Sequence, residues 1–322
     1  MNKQQYYFLL PYCFIVKGEK MNIIFNAQKS DVVYIPDCIT TLIELFNENN
    51  IEMIEQIYNN QKKNLVDTIA FLTRKGLIGV KNKEDIFPQI SFEYDSPEHI
   101  KHLVVEYSNR YNFDNILFYI NKSLVKFIEI RYKNIESSDD FIEIEKHLSF
   151  LYRSTVKAAQ LIFDYKFSKL LYEKSKQKYF NIANSIIFYN SPYSRTETWG
   201  KKNIQYIKAG YDYIMYSNND YNNNYILDFQ YFILSHSYNP YYYKRLCIDE
   251  NGNIKNCLKS KRFFGNVMKD DIIQVIHQED FRELWSVSCD KIIDIKDNPM
   301  RYNMYVTNQL KKEKNGFYSI IQ

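Results

Sequence analysis

The chain has 322 residues, enough for about two domains and for a core that needs neither disulfides nor a structural metal. Its 42 basic and 38 acidic residues give a net charge of +4, too small by itself to indicate a nucleic-acid or membrane partner. The sequence has few glycines and neither of the glycine-rich phosphate-binding motifs, which disfavours nucleotide chemistry by those two routes.

The sequence carries no signal for a membrane span or for secretion. No apolar run approaches the roughly 20 residues that a span needs. Residues 1–17 contain an apolar stretch but neither a basic leader nor a small-residue cleavage site. The cysteines are odd in number and widely scattered, which favours reduced thiols over a disulfide framework. We therefore expect a cytoplasmic protein without a membrane partner.

Residues 1–80 are predicted to form a compact unit of strands and helices. Apolar or aromatic runs at 6–16, 22–26 and 32–35 predict three strands. Three short helices follow, and the third ends at Gly76, because a helix C-cap favours a residue with positive φ. Since the chain then becomes extended again, this order predicts a winged helix.

A proline-containing segment, 81–97, is predicted to link this unit to an alternation of strands and helices over 98–238. Continuous apolar runs, typical of strands buried on both faces of a parallel sheet, occur at 103–107, 127–132, 159–164 and 185–189. Helical patterns lie between them, including one that starts at 137–139. This βαβ alternation predicts an α/β fold with an open sheet or a partial barrel, whose last strand is predicted at 228–235.

Residues 239–322 form a third, turn-rich region, and its clearest motif is a hairpin at 245–257. Asn251-Gly252 fits a primed turn between antiparallel strands, and each arm carries one cysteine, Cys247 or Cys257. Nearby basic residues at 255–262 could dock an acidic partner, but solvated surface is the default expectation for such a cluster.

The hairpin resembles a SPASM domain, the module that holds auxiliary iron–sulfur clusters in many peptide-modifying radical S-adenosylmethionine enzymes. From about residue 5 to 310, the chain resembles the SPASM-domain peptide maturases of grasp-with-spasm systems, which work beside an ATP-grasp ligase on a ribosomally made peptide. The other matching pieces are 12–18, 87–88, 128–131, 264–266, Trp285 and 296–297. The resemblance implies a partial radical-SAM-like (β/α) barrel, a degenerate C-terminal SPASM-like region and an ATP-grasp ligase as partner.

The chain departs from this resemblance where the iron ligands would lie. Ile295, Asn298, Met304 and Thr307 stand where the later cysteines of the family would align. The loop at 108–112, after the first predicted barrel strand, also lacks the cysteines of the radical S-adenosylmethionine motif. A cluster needs about four thiolates. Cys247 and Cys257 are therefore candidate metal ligands in an incomplete set, and we expect no cofactor.

The resemblance also implies that residues 1–80 bind the leader of a precursor peptide, as the recognition elements of ribosomally synthesised, post-translationally modified peptide (RiPP) pathways do. An exposed edge strand can pair its free N–H and C=O groups with an extended peptide. The predicted peptide-binding residues are Val32, Val33, Tyr34 and Ile35 on the edge strand, and Val66, Ile69, Ala70 and Thr73 on the third helix. The helix residues could instead belong to the core.

The sequence thus predicts a peptide maturation protein that binds a precursor leader, partners an ATP-grasp ligase and performs no radical chemistry of its own. One alternative is an iron–sulfur SPASM enzyme, with its ligand set completed by Cys289 or by another chain. A second is a winged-helix DNA-binding protein, although Asp67 on the third helix disfavours it. The residues that would contact phosphates are Lys62, Lys63, Arg74 and Lys75. Glu129 and Arg131, on a predicted barrel strand, could act in chemistry or form a structural ion pair.

Overall fold

The computed structural model describes residues 4–88, 90–133, 135, 140–216 and 224–321, without the side chains of 215 and 216. Its N-terminal unit contains three helices and two small antiparallel sheets. The elements are β1 Gln5–Leu9, β2 Cys13–Val16, β3 Asn22–Asn26, β4 Asp31–Ile35, α1 Asp37–Leu45, α2 Ile51–Ile57, α3 Lys62–Lys75 and β5 Ile78–Asn82. One sheet has the order β2-β3-β4, and the other pairs β1 with β5.

The third helix ends where the sequence predicts, because Gly76 has a φ of +69°. The single strand predicted at 6–16 is wrong, since it is two strands that belong to different sheets. Pro11 lies at the break, and the Cys13 amide donates to the Leu10 carbonyl at 2.8 Å to close a turn. Because proline has no amide hydrogen, it interrupts the ladder of a strand.

The middle of the chain builds most of a nine-stranded sheet. Its elements are β6 His102–Glu106, α4 Phe113–Ser123, β7 Phe127–Tyr132, α5 Asp140–Arg153, β8 Ala158–Asp164, α6 Ser168–Lys174, β9 Ala183–Tyr189, β10 Arg195–Trp199, β11 Lys202–Tyr206 and α7 Tyr211–Tyr216. Strands β6, β7, β8, β9 and β11 are parallel neighbours in that order. The predicted α/β alternation is confirmed, and strands are present at the four predicted apolar runs. The helix start predicted at 137–139 lies outside the described residues.

The C-terminal region extends the same sheet at its β6 edge. Its elements are α8 Phe229–Ser237, β12 Arg245–Ile248, β13 Asn253–Lys255, β14 Gly265–Asn266, α9 Ile272–Ile276, α10 Glu279–Arg282, β15 Leu310–Lys312 and β16 Tyr318–Ile320. Strand β12 runs parallel to β6, and β13 and β14 add antiparallel strands beyond it. The predicted hairpin is present. Because β12 pairs with β6, the hairpin belongs to the nine-stranded sheet, which we call the main sheet.

The turn of this hairpin differs from the prediction. A primed turn of type I′ requires positive φ at both central residues. Here φ is +77° at Gly252, while Asn251 is not among the described residues with positive φ. The Gly252 amide donates to the Asp249 carbonyl at 2.9 Å, so the loop is an ordinary turn that ends in a left-handed glycine.

The strand predicted at 228–235 is wrong, because this segment is helix α8. Asp228 caps the helix by accepting a hydrogen bond from the Tyr231 amide at 2.9 Å. Four consecutive residues, 232–235, are buried. A helix that is apolar on most sides shows no helical period in its sequence, so the run resembles a buried strand.

The three-stranded sheet β2-β3-β4, which we call the N-terminal sheet, is covered on both faces. Ile24, Val33 and Ile35 pack with helices α1 to α3. Val16 and Phe25 point the other way and join an apolar cluster with Phe232 of α8 and with residues 287–320. The N-terminal unit is thus packed onto the C-terminal region across this sheet. In the part of the chain that the structure describes, no helix has the length and apolar character needed to cross a bilayer.

Candidate functional site

The first candidate site is the edge of β4. In the sheet order β2-β3-β4, strand β4 pairs with β3 on one side, and no described strand pairs with its other side. Val33 and Ile35 point into the core, whereas 54% of Tyr34 is exposed. The Val32 amide donates to its neighbouring Asp31 carboxylate at 2.8 Å. Because amides alternate in direction along a strand, this contact indicates that Val32 and Tyr34 present their backbone groups to the free edge.

The residues of α3 divide between core and surface. Leu65 and Leu72 are buried in the cluster that also holds Val33 and Ile35, and Ile69 packs partly against it. Val66, Ala70 and Thr73 are exposed, and 57% of the Val66 side-chain surface is accessible. An exposed stripe of small and apolar side chains therefore runs along this helix at the spacing i, i+4, i+7.

The second candidate site is a half-open cavity of about 190 Å³ against one face of the nine-stranded sheet, which we call the interior cavity. Ile128 and Ile130 of β7 pack with α4 and α5 in the main core. Side chains alternate along a strand, so Glu129 and Arg131 point to the opposite face, where they line the interior cavity. An adjoining cavity of about 320 Å³ lies towards the amino ends of the strands and shares Glu129 and Arg245 with it.

Charged side chains dominate the wall of the interior cavity. The Arg131 Nε donates to a Glu129 carboxylate oxygen at 2.5 Å, so the predicted ion pair is present. The Arg245 Nε donates to the Tyr241 carbonyl at 2.8 Å, and the guanidinium lies over the Tyr241 ring at 4.2 Å from its centroid. Lys259 lines the same cavity, contrary to the expectation of solvated surface.

Lys259 in the interior cavity and His102 in the adjoining cavity both have lowered pKa values. Burial, together with nearby Arg131, lowers the pKa of Lys259. Burial, followed by the charges of Arg245 and Lys101, lowers the pKa of His102 to about 3, so this imidazole is neutral at pH 7. Both shifts have burial as their largest cause and a neighbouring positive charge as a further cause.

The two hairpin cysteines lie on the interior cavity. Cys247 and Cys257 are both buried, and Thr307 lines the cavity with them. The Tyr241 hydroxyl is 3.7 Å from the Cys257 Sγ. Burial raises the pKa of the Cys247 thiol to about 12, so it stays protonated at pH 7 and is a poor metal ligand until a metal displaces the proton.

The described lining of the interior cavity contains fewer thiolates than an iron–sulfur cluster needs. Besides the two cysteines, Thr307 stands at the cavity where a third thiolate would be needed, and its hydroxyl cannot replace one. Ile295 and Met304 are buried in the apolar cluster that contains Cys289, away from the cavity wall. Within the described ranges, no group of three or more His, Cys, Asp or Glu side chains is placed to hold a metal ion.

Arg245 and Tyr241 are not among the site residues predicted from the sequence. Arg245 lies two residues before Cys247 on the same strand, and the period of two therefore puts both side chains on one face. That pattern could have identified Arg245. Nothing local could have identified Tyr241 or Lys259, because their place at the cavity depends on how the chain folds back against β12.

No protein-family model matches the sequence, and no curated protein matches it. Among solved structures, the chain is similar to SuiB of Streptococcus suis bound to S-adenosylmethionine, with 12% identity, a TM-score of 0.29, and 85% of this chain and 89% of that chain covered. A structure of SuiB bound to precursor peptide SuiA gives 11% identity, a TM-score of 0.26 and the same coverage. TM-scores below 0.5 do not establish a common fold, and neither match assigns a function to this chain.

Proposed function

We propose that this chain is a peptide-maturation protein that captures an extended precursor peptide at the edge of β4. The observation that carries the proposal is the free edge of β4, with the backbone groups of Val32 and Tyr34 directed towards it. An extended peptide can complete the hydrogen bonds of such an edge and become a fourth strand of the sheet. The exposed Tyr34 ring would pack against alternate side chains of the bound peptide.

We propose that the exposed stripe of α3 determines which peptide sequences this chain prefers. Strand pairing alone recognises backbone, so selectivity must come from side-chain contacts. Val66, Ala70 and Thr73 offer a small apolar surface, and α3 shares a core with β4. The precursor leader is the expected ligand, and an ATP-grasp ligase is the proposed partner that modifies the peptide held by this chain.

Titration with a fluorescently labelled synthetic copy of the cognate precursor leader tests the proposal. We expect saturable binding in the range of tens of micromolar or tighter. A copy with proline at alternate leader positions is the matched control, because it cannot pair its backbone with β4. Absence of binding by the unmodified peptide to the folded protein would refute the proposal. Steeply salt-dependent binding of duplex DNA would instead favour the DNA-binding alternative.

We also propose that the chain performs no radical chemistry of its own. Its loop 108–112 after β6 lacks cysteine, and the interior cavity presents only Cys247 and Cys257 among its described lining residues. After anaerobic incubation with iron and sulfide, followed by desalting, the protein is expected to stay colourless and to retain less than about one iron per chain. A stable brown preparation with four irons per chain, lost in the Cys247→Ser variant, would show that the cluster-binding alternative is correct.

A further inference from the structure

The main sheet ends in a regular edge at β10. This strand is outermost in the order of the sheet, and no described strand pairs with its free side. All five of its residues pair with β11, without a register shift. Sheet edges are often protected from association by proline, lysine or a bulge, and β10 has none of the three. The opposite edge strand of the sheet, β14, has only two residues.

Two exposed residues of β10 direct their backbone groups to this free side. A two-residue loop joins β10 to β11, and its first residue, Gly200, has a φ of +63°. The strand pair that closes such a loop is hydrogen-bonded, and along the strands hydrogen-bonded pairs then alternate with pairs that are not. The odd-numbered residues of β10 therefore bond to β11, whereas Thr196 and Thr198 direct their N–H and C=O groups outwards.

The odd-numbered side chains share one face of the sheet and are ordered by contacts within the chain. The Glu197 carboxylate accepts hydrogen bonds from the Trp199 Nε1 and the Tyr206 hydroxyl, each at 2.8 Å. The other Glu197 oxygen lies 2.9 Å from the Arg195 Nη2. The Arg195 guanidinium also lies 4.9 Å from the centroid of the Tyr206 ring. Because these side chains are already held in place, pairing with β10 costs little additional side-chain entropy.

The charges of β10 favour one register if the strand pairs with a copy of itself. Centring a two-fold antiparallel pair on Arg195 would place two arginines directly opposite each other, and centring it on Glu197 would oppose two glutamates. Like charges at such positions are destabilising. Centring on Thr198 opposes no unlike charges. Centring on Thr196 places Arg195 of each copy opposite Glu197 of the other, so the strand is complementary to itself in this register.

We propose that β10 pairs antiparallel with β10 of a second copy of this chain, around a two-fold axis at Thr196. The main sheets of the two copies then form one continuous sheet. Two ion pairs between Arg195 and Glu197 cross the interface, beside the pair within each copy, and together they form a network of alternating charges. Strand β4 belongs to a different sheet, so this proposal and peptide capture at β4 can fail independently.

Sedimentation velocity of the full chain, from about 1 to about 200 µM, tests the proposal. We expect a reversible shift from monomer to dimer over this range, because a contact of one strand per copy is small. Thr196→Pro should abolish the dimer, since it removes the central amide donor, and proline is tolerated on the outer side of an edge strand. Arg195→Glu should weaken dimerisation about tenfold or more, because it opposes glutamates at both crossing pairs.

Two matched variants separate these effects from general ones. Thr196→Val keeps the amide and a β-branched side chain, and it should dimerise like the wild type. Arg153→Glu makes the same charge reversal at an exposed position on α5 and should leave dimerisation unchanged. Circular dichroism verifies the fold of each variant. If Thr196→Pro fails to fold, the comparison of Arg195→Glu with Arg153→Glu still decides the question.

Three results would overturn the proposal. The first is a chain that stays monomeric up to about 200 µM, well above the range expected for a weak interface. The second is a dimer that folded Thr196→Pro and Arg195→Glu leave unchanged, which would place the interface elsewhere. The third is binding of the labelled precursor leader that Thr196→Pro abolishes, which would show that this edge takes a peptide instead of a second copy.

Discussion

Replacing Tyr34 by proline is expected to weaken binding of the precursor peptide about thirtyfold or more while leaving the protein folded, a loss of about 2 kcal/mol. The contact between the Val32 amide and Asp31 indicates that the Tyr34 amide also faces the free edge of β4. Proline removes that donor and places a ring where the peptide backbone would approach. It spares the ladder to β3, because proline is tolerated on the outer side of an edge strand.

The matched control for this prediction is Tyr34→Thr. Threonine keeps the backbone donor and a β-branched side chain suited to a strand, so only the contacts of the aromatic ring are lost. We expect a loss of affinity several times smaller than that of Tyr34→Pro. Fluorescence anisotropy with the labelled precursor gives both affinities, and circular dichroism verifies the fold. Equal affinities of Tyr34→Pro and the wild type would show that the peptide does not pair with β4.

Replacing Phe232 by alanine is expected to lower the free energy of unfolding by about 3–5 kcal/mol, the range for a large aromatic residue removed from a core. Phe232 is fully buried on α8. Its ring centroid lies 4.5 Å from that of Phe25 and 5.5 Å from that of Phe14, both on the N-terminal sheet, and 5.7 Å from that of Tyr302. The side chain therefore joins three distant parts of the chain, and alanine would leave a cavity among them.

Urea denaturation measures this loss of stability, and hydrogen exchange shows which segments lose amide protection. Phe118→Ala is the control, because Phe118 on α4 is 71% exposed and its removal should change stability by less than about 0.5 kcal/mol. In Phe232→Ala, the amides of β3 should lose protection together with those of α8. Unchanged protection of β3 would mean that the N-terminal sheet is stable without its packing on α8.

Local chemistry made several elements predictable. Gly76 marks the end of α3 because its left-handed conformation suits glycine. The apolar runs of the parallel strands stand out because residues such as Ile128 and Ile130 are buried in the main core. The hairpin was predictable from its cysteine-bearing arms around Gly252, although its turn type was not, since the φ of Asn251 depends on the surrounding ladder. The predicted domain boundaries at residues 80, 98 and 238 stay predictions.

The sequence by itself determined the α/β class and the strand–helix alternation. Those features follow from short-range periodicity and from residues with special backbone preferences. Only the tertiary structure decided that 229–237 is a helix, that 5–16 is divided between two sheets, and that Arg245 and Lys259 share a cavity with Glu129. These outcomes depend on which distant residues bury or face a segment, and no local pattern carries that information.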